Sequence, residues 1–422
     1  MKFNKTVFPN GLRVVTIPMA DNPAVTVLVM VETGSKYETK RENGLSHFLE
    51  HMVFKGTPRR PLASDISREL DSLGAHYNAF TSQEYTGYYA KAAPHHFDTV
   101  IDIVSDMYLN PLFDENEIKK EKGVIIEEMR MYKDLPQKHV HDVLSELLYG
   151  DQPAGWNVIG TEENLHAFKK DDFTSYCAAH YVSGATTVIV SGSFDEKKAL
   201  KAIELAFASA SKEAKQGKKP VAVSQTSPQV KAEFKETDQA HLAIALRTFP
   251  VDDARIPAMQ LLSAILGGGM SSRLFAKMRD ELGICYYISA SHTPYTDVGE
   301  LTIAAGLDNS RVEEGLKGIL GEFRRLRDEL VGEAELKKAK DYIAGTTMLE
   351  LETSDARAEF CGYQEILKRR IDSPDEIIER INKVTAEDVR KLARDVFTDS
   401  GLNMAIIGRY KDEGAFKAYF KF

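Results

Sequence analysis

Three stretches of this chain have partial counterparts later in it, in the same order. Leu73-Gly74-Ala75-His76-Tyr77-Asn78-Ala79 is echoed by Leu282-Gly283-Ile284-Cys285-Tyr286-Tyr287-Ile288. Tyr85-Thr86-Gly87-Tyr88-Tyr89 is echoed by Tyr295-Thr296-Asp297-Val298-Gly299, and Glu117-Ile118-Lys119-Lys120-Glu121-Lys122 by Glu335-Leu336-Lys337-Lys338-Ala339-Lys340. Gly74 and Gly283 are 209 positions apart and Glu117 and Glu335 are 218 apart, a difference the size of a loop insertion. A repeat this long is that of a duplicated domain rather than a solenoid unit. In each copy strand-like segments precede helical ones. The expectation is an α+β chain of two homologous domains of ~200 residues, each a mostly antiparallel sheet covered by helices.

The local patterns fit that frame. Asn10-Gly11 between two apolar stretches predicts a hairpin. Ala24 to Val31 is apolar at every second-face position too, as in a strand covered on both sides. Helical spacing is predicted for Glu42–Phe54, from Ser64-Asp65 to Gly74, and for Phe97–Leu109, Glu115–Tyr132 and Val140–Leu148. Strands are predicted around Tyr77–Ser82, Tyr85–Ala90 and Ala185–Gly192, with a covering helix over Glu196–Ser211. The polar, basic stretch 212–228 reads as a linker between domains 1–211 and 229–422.

Composition excludes several classes. At 43% hydrophobic the chain has ample core and is not a disordered one. A net charge of −9 without a basic cluster argues against a nucleic-acid partner. No apolar run approaches the ~20 residues of a membrane helix, so no membrane partner is expected. The first residues read as a hairpin rather than a signal peptide, and the expected location is cytoplasmic. Three scattered cysteines, Cys177, Cys285 and Cys361, fit a reducing compartment and read as small buried hydrophobes.

Nine of the 11 histidines lie at or before His180, which points to a site in the first half. His47-Phe48-Leu49-Glu50-His51 is its sharpest feature. On a helix His47 and His51 are one turn apart on one face, able to grip one zinc ion, with Glu50 on the adjacent edge. This is the inverted zinc-helix order of the inverzincins. A catalytic zinc takes a third protein ligand and keeps one position open for water. Glu121-Lys122-Gly123-Val124-Ile125-Ile126-Glu127-Glu128 offers candidates: Glu121 and Glu128 are two helical turns apart and share a face, with Val124 and Ile125 beside them. Burying such a pair is costly unless it meets a cation. Periodicity leaves Glu127 and Glu128 both open as the ligand. In the second copy Ala339 and Thr346 stand where Glu121 and Glu128 stand in the first, so one half carries the metal set and the other lacks it.

His47–Thr57 (HFLEHMVFKGT), Gly74–Tyr89 (GAHYNAFTSQEYTGYY) and Glu121–Met129 (EKGVIIEEM) together resemble the pitrilysin/insulysin family of zinc peptidases, in particular its two-domain members typified by the mitochondrial processing peptidase β subunit. The resemblance implies a zinc metalloendopeptidase with one Zn2+ per subunit, held by His47, His51 and Glu128. It implies Glu50 as the general base and Glu121 as the carboxylate that supports the ligands. Arg279 and Tyr286, seven apart, match the family's pair that binds substrate carbonyls and stabilises the oxyanion. Asn78, Ala79 and Phe80 match the edge strand along which substrate lies extended. Gly267-Gly268-Gly269, which lacks the Walker lysine, matches a flexible loop. Larger relatives enclose peptides with four such domains, so this chain is expected to work as a homodimer, or as a heterodimer with a related subunit, around a peptide substrate. The alternative is a non-catalytic assembly subunit of the same family.

Overall fold

The computed structural model describes residues 1–421. These form two compact units, each built on one sheet. The first comprises Met1–Met129, Trp156–Lys219 and Met348–Ser373; the second comprises Arg130–Gly155, Pro220–Thr347 and the described residues from Pro374 on.

The first unit contains strands β1 (Asn4–Val7), β2 (Arg13–Pro18), β3 (Val25–Val31), β4 (His76–Thr81), β5 (Thr86–Ala92) and β6 (Thr186–Gly192), in the order β1-β2-β6-β3-β5-β4. Only β2 and β6 run parallel. Helices α1 (Leu45–Val53), α2 (Ala63–Ser72), α3 (Phe97–Leu109), α4 (Glu115–Asp134) and α5 (Pro136–Tyr149) follow the expected positions within a few residues. The hairpin at Asn10-Gly11 pairs Val7 with Arg13.

The second unit contains β7 (Gln229–Phe234), β8 (Gln239–Thr248), β9 (Cys285–Pro294), β10 (Gly299–Asp308) and β11 (Asn403–Gly408), in the order β7-β11-β8-β10-β9. Its one parallel pair, β7 with β11, stands where β2 and β6 stand in the first. Setting β1 aside, the two sheets have the same strand order and the same directions. Gly74 and Gly283, the paired glycines of the repeat, both have φ of 62°, a left-handed turn that leads from a helix into β4 or β9. Only a residue without Cβ takes that conformation freely.

Neither unit is a contiguous half. The chain passes from one to the other inside the expected linker, at Lys219/Pro220, but each half also lends a helix to the other unit. β3 is buried along its whole length, so both faces of the first sheet need cover. One face is packed by α3. The other is closed by the helix Ser354–Lys368, whose Ala358, Cys361 and Ile366 join Leu28, Met30 and Ile189. Gly362 lets it approach closely, because a Cβ there would sit 2.4 Å from the Met30 sulfur. In the second unit α5 does the corresponding work, with Val140, Val143 and Leu144 against Ala243, Ala245, Ala405 and Ile407.

The linker is held rather than loose. Lys215 pairs with Glu32, and Lys218 lies 3.3 Å from the buried Glu84. Farther on, Gln225 donates to the carbonyl of Ser400 at 2.6 Å. The glycine run also departs from the flexible loop expected. A Cβ on Gly267 would lie 2.3 Å from the Ala290 backbone nitrogen, and the Tyr342 hydroxyl donates to the Gly268 carbonyl. Close packing accounts for these glycines.

Candidate metal centre

The site is built where α1 meets α4 in the first unit. α1 starts at Gly44, whose φ of 99° and lack of a side chain let the chain pass the Ile159 carbonyl, which a Cβ would approach to 2.5 Å. Phe48, Leu49 and Met52 bury one side of the helix, which leaves His47 and His51 together on another with ring centroids 4.8 Å apart. From α4, Glu128 reaches them. Its Oε2 is 3.8 Å from His47 Nε2 and 3.4 Å from His51 Nε2. One ligand atom from each of the three residues falls within a 4.8 Å span, the one such group of three among the described residues. Glu127, one residue earlier, is exposed. Ile125 is fully buried beside the acidic pair, but Val124 is 52% exposed, so the apolar flank expected there is one-sided.

Glu121 stands behind His51. Its Oε1 is 2.9 Å from His51 Nδ1, and its Oε2 accepts from Lys55 Nζ at 2.7 Å. Burial opposes its ionisation, but the hydrogen bonds from His51 and Lys55 prevail and hold the carboxyl below its usual range. The two imidazoles are driven apart electrostatically. Burial, with His51 nearby, lowers the His47 pKa to about 4, so that ring is neutral. Burial also disfavours charge on His51, yet its hydrogen bonds to Glu121 and Glu128 raise it to about 9.

These residues suit a zinc ion. Two nitrogens and one carboxylate oxygen converge, the protein donor set of a catalytic zinc. His47 turns Nε2 toward Glu128, while its Nδ1 is buried without a hydrogen-bond partner. The Glu121–His51 contact is the carboxylate–histidine pairing that fixes a ligand's tautomer. Glu50 lies on the adjoining edge of α1. Burial raises its carboxyl above the usual range, partly offset by the neighbouring Thr81 hydroxyl and by His51.

Thr81 ends β4, the outermost strand of its sheet. Asn78 is exposed there, and its Oδ1 accepts from the Ala79 N–H at 2.9 Å, while Ala79 is buried. The Phe80 ring covers Gly87 and packs against Tyr85 and Tyr363 on the opposite face. Arg279 and Tyr286 belong to the second unit and form a pair of their own. Arg279 lies on a π-helical turn (Ala276–Glu281), and its Nη1 donates to the Tyr286 carbonyl at 2.6 Å. Tyr286 is 71% exposed. His139 pairs with Asp142 and Glu233 within the second unit. Burial pushes the Cys177 and Cys361 thiols up to about 12, which suits inert residues.

Residue spacing did not point to Glu38. This buried carboxyl caps α1: Oε1 accepts from Ser46 N at 2.7 Å, and Oε2 from Gly44 N at 2.9 Å and Asn43 Nδ2 at 3.2 Å. A glycine at the N-cap of a helix otherwise lacking a local cap was the available signal.

Comparison with known proteins shows the family and the fold. The insulinase (peptidase family M16) model matches residues 13–162, and the M16 inactive-domain model matches residues 167–343. The chain is 37% identical over 397 residues to the uncharacterized zinc protease YmxG of Bacillus subtilis, covering 92% of this chain and 94% of that one. It is 32% identical over 417 residues to an uncharacterized zinc protease of Streptomyces coelicolor, covering 97% and 90%. Among solved structures, a protease from Helicobacter pylori has the same fold at 21% identity and a TM-score of 0.90, over 96% of this chain and 99% of that chain. The chain belongs to the M16 (insulinase) family of peptidases.

Proposed function

We propose that this protein is a zinc-dependent metalloendopeptidase that hydrolyses peptide bonds in extended or unfolded peptides. The observation that carries this reading is the convergence of His47 Nε2, His51 Nε2 and Glu128 Oε2 next to Glu50. Relatives that bear the name zinc protease support it. A zinc ion held by His47, His51 and Glu128 would supply a Lewis acid able to polarise a peptide carbonyl and to bring the pKa of bound water toward ~7. Glu50 takes the proton of the attacking water on a carboxylate oxygen and passes it to the departing amine. Glu121 keeps His51 Nε2 free by engaging Nδ1.

A peptide would add to the free edge of β4, main chain to main chain, along Asn78, Ala79 and Phe80. There the Asn78 side chain, which satisfies the Ala79 N–H, yields to a substrate carbonyl. Arg279 and Tyr286 donate to substrate carbonyls and to the developing oxyanion. We assign that pair to a second subunit, so that a homodimer, or a heterodimer with a related subunit, closes as a clam-shell chamber. The exposure of Tyr286 supports a partner or substrate covering it. Three unpaired cysteines suit a cytoplasmic protein, and no described helix is long and apolar enough to cross a membrane.

A mixed peptide library tests the proposal. Cleavage abolished by a chelator and restored by zinc is expected. No cleavage by zinc-loaded protein would overturn it in favour of an assembly subunit.

A further inference from the structure

We propose that Glu38 is a positioning residue for the metal centre: with the Tyr176 hydroxyl, it locks the first turn of α1 so that His47 and His51 present Nε2 to one point. The inference rests on the reading of His47, His51 and Glu128 as zinc ligands.

The first N–H groups of any helix have no partner within it and must find one elsewhere. α1 begins at a glycine, which offers no side chain, and no side-chain cap comes from its own N-cap residue. The Leu45 N–H finds the Glu42 carbonyl at 2.8 Å. Glu38, six residues before Gly44, takes the Gly44 and Ser46 N–H groups with its two oxygens. A second, independent hold falls on the same residue. Ser46 Oγ is 2.8 Å from Tyr176 Oη, which is also 2.8 Å from Thr33 Oγ1. Ser46 is thus fixed by both main chain and side chain, and the next residue is His47.

α1 spans nine residues, about two and a half turns. A frayed or tilted first turn would therefore move His47 against Glu128, which sits on a different helix. Metal sites tolerate displacements of only ~0.5 Å before affinity falls. Charge points the same way. A helix start carries about half a positive charge, which disfavours a nearby dication, and a buried carboxylate offsets it. Burial pushes the Glu38 carboxyl up to about 7, against the hydrogen bonds from Ser46, Gly44 and Asn43 that favour its charged form.

The test compares Glu38→Gln, Tyr176→Phe and Thr385→Ala in the full-length protein. Thr385 caps the Ala386–Val396 helix of the second unit and serves as a control for cap loss as such. Zinc affinity is measured by competition with a chromophoric chelator, site geometry by the visible spectrum of the cobalt-substituted protein, and folding by thermal melting. A glutamine at 38 keeps one acceptor but turns an NH2 toward a backbone N–H. Glu38→Gln is expected to bind zinc at least ~10-fold more weakly, with an altered cobalt spectrum, as loss of a supporting group does. Tyr176→Phe is expected to change both in the same direction by a few-fold, and it carries the test if Glu38→Gln does not fold. Thr385→Ala is expected to melt lower with unchanged zinc affinity. Wild-type affinity and spectrum in Glu38→Gln, or in Tyr176→Phe where that variant carries the test, would overturn the proposal. If His47→Ala binds zinc as tightly as wild type, the ligand reading itself has failed, and the positioning role falls with it.

Discussion

Replacing Glu121 by glutamine removes one charge and almost no volume, and it strikes the contact that orients His51. The carboxylate accepts from two sides, His51 Nδ1 at 2.9 Å and Lys55 Nζ at 2.7 Å. An amide can satisfy only one of them. If its oxygen faces His51, its NH2 meets the Lys55 ammonium; if its NH2 faces His51, the ring takes the tautomer with the proton on Nε2, where zinc should bind. Supporting partners of this kind are worth 10–100-fold in metal affinity, or about 1.4–2.7 kcal/mol. Burial places Glu121 toward the upper end, because its side chain is only 7% exposed and water screens it little. The assay is chelator competition at pH 7.5 on metal-free protein. A loss of at least tenfold is expected, and adding Lys55→Met to Glu121→Gln should recover part of it by relieving the donor–donor contact. Affinity within twofold of wild type would refute the orienting role.

Glu128→Gln is expected to lose bound zinc, whereas Glu127→Gln keeps it; metal analysis after dialysis reads both, and the reverse result would move the third ligand to Glu127. Because hydrogen bonds to Glu121 and Glu128 outweigh burial and raise His51 to about 9, zinc must displace a proton at pH 7.5. Calorimetric titrations in buffers of different ionisation enthalpy should report about one proton released per zinc, and none would contradict the site. The same shift stabilises metal-free protein fully below about pH 6.5, and that contribution is lost as pH rises through about 9; a thermal-melt series checks the direction. Arg279→Ala is expected to lower kcat/KM at least ~10-fold, as loss of an oxyanion donor does, with zinc content unchanged; full activity would remove it from the reaction.

Much of this was legible in the residues, and the exceptions have physical reasons. The repeat and the buried β3 followed from pattern, because period-2 and period-3.6 apolar spacing is a local property. The His47–His51 pair was legible because four-residue spacing on a helix sets direction without tertiary information. The choice between Glu127 and Glu128 was not, since it depends on which side of α4 turns toward α1. The exchange of Pro136–Tyr149 and Ser354–Lys368 was equally hidden: an apolar face says that a helix must be covered, not which sheet covers it. Glu38 escaped for the same reason, as its partners are set by the fold of a loop rather than by helical spacing. The basic linker looked solvated because Glu32 and Glu84, its partners, lie more than a hundred residues away in sequence.

Glu50→Gln isolates the chemistry from the metal, since Glu50 lies outside the proposed ligand set of His47, His51 and Glu128 and the substitution preserves its shape. Zinc stoichiometry by native mass spectrometry, paired with peptide cleavage on the same samples, reads both at once. One zinc per chain in wild type and variant alike, with cleavage in wild type alone, is the expected result. A wild-type chain that carries no zinc, or a Glu50→Gln protein that cleaves at the wild-type rate, would contradict the assignment of this centre as a metallopeptidase site.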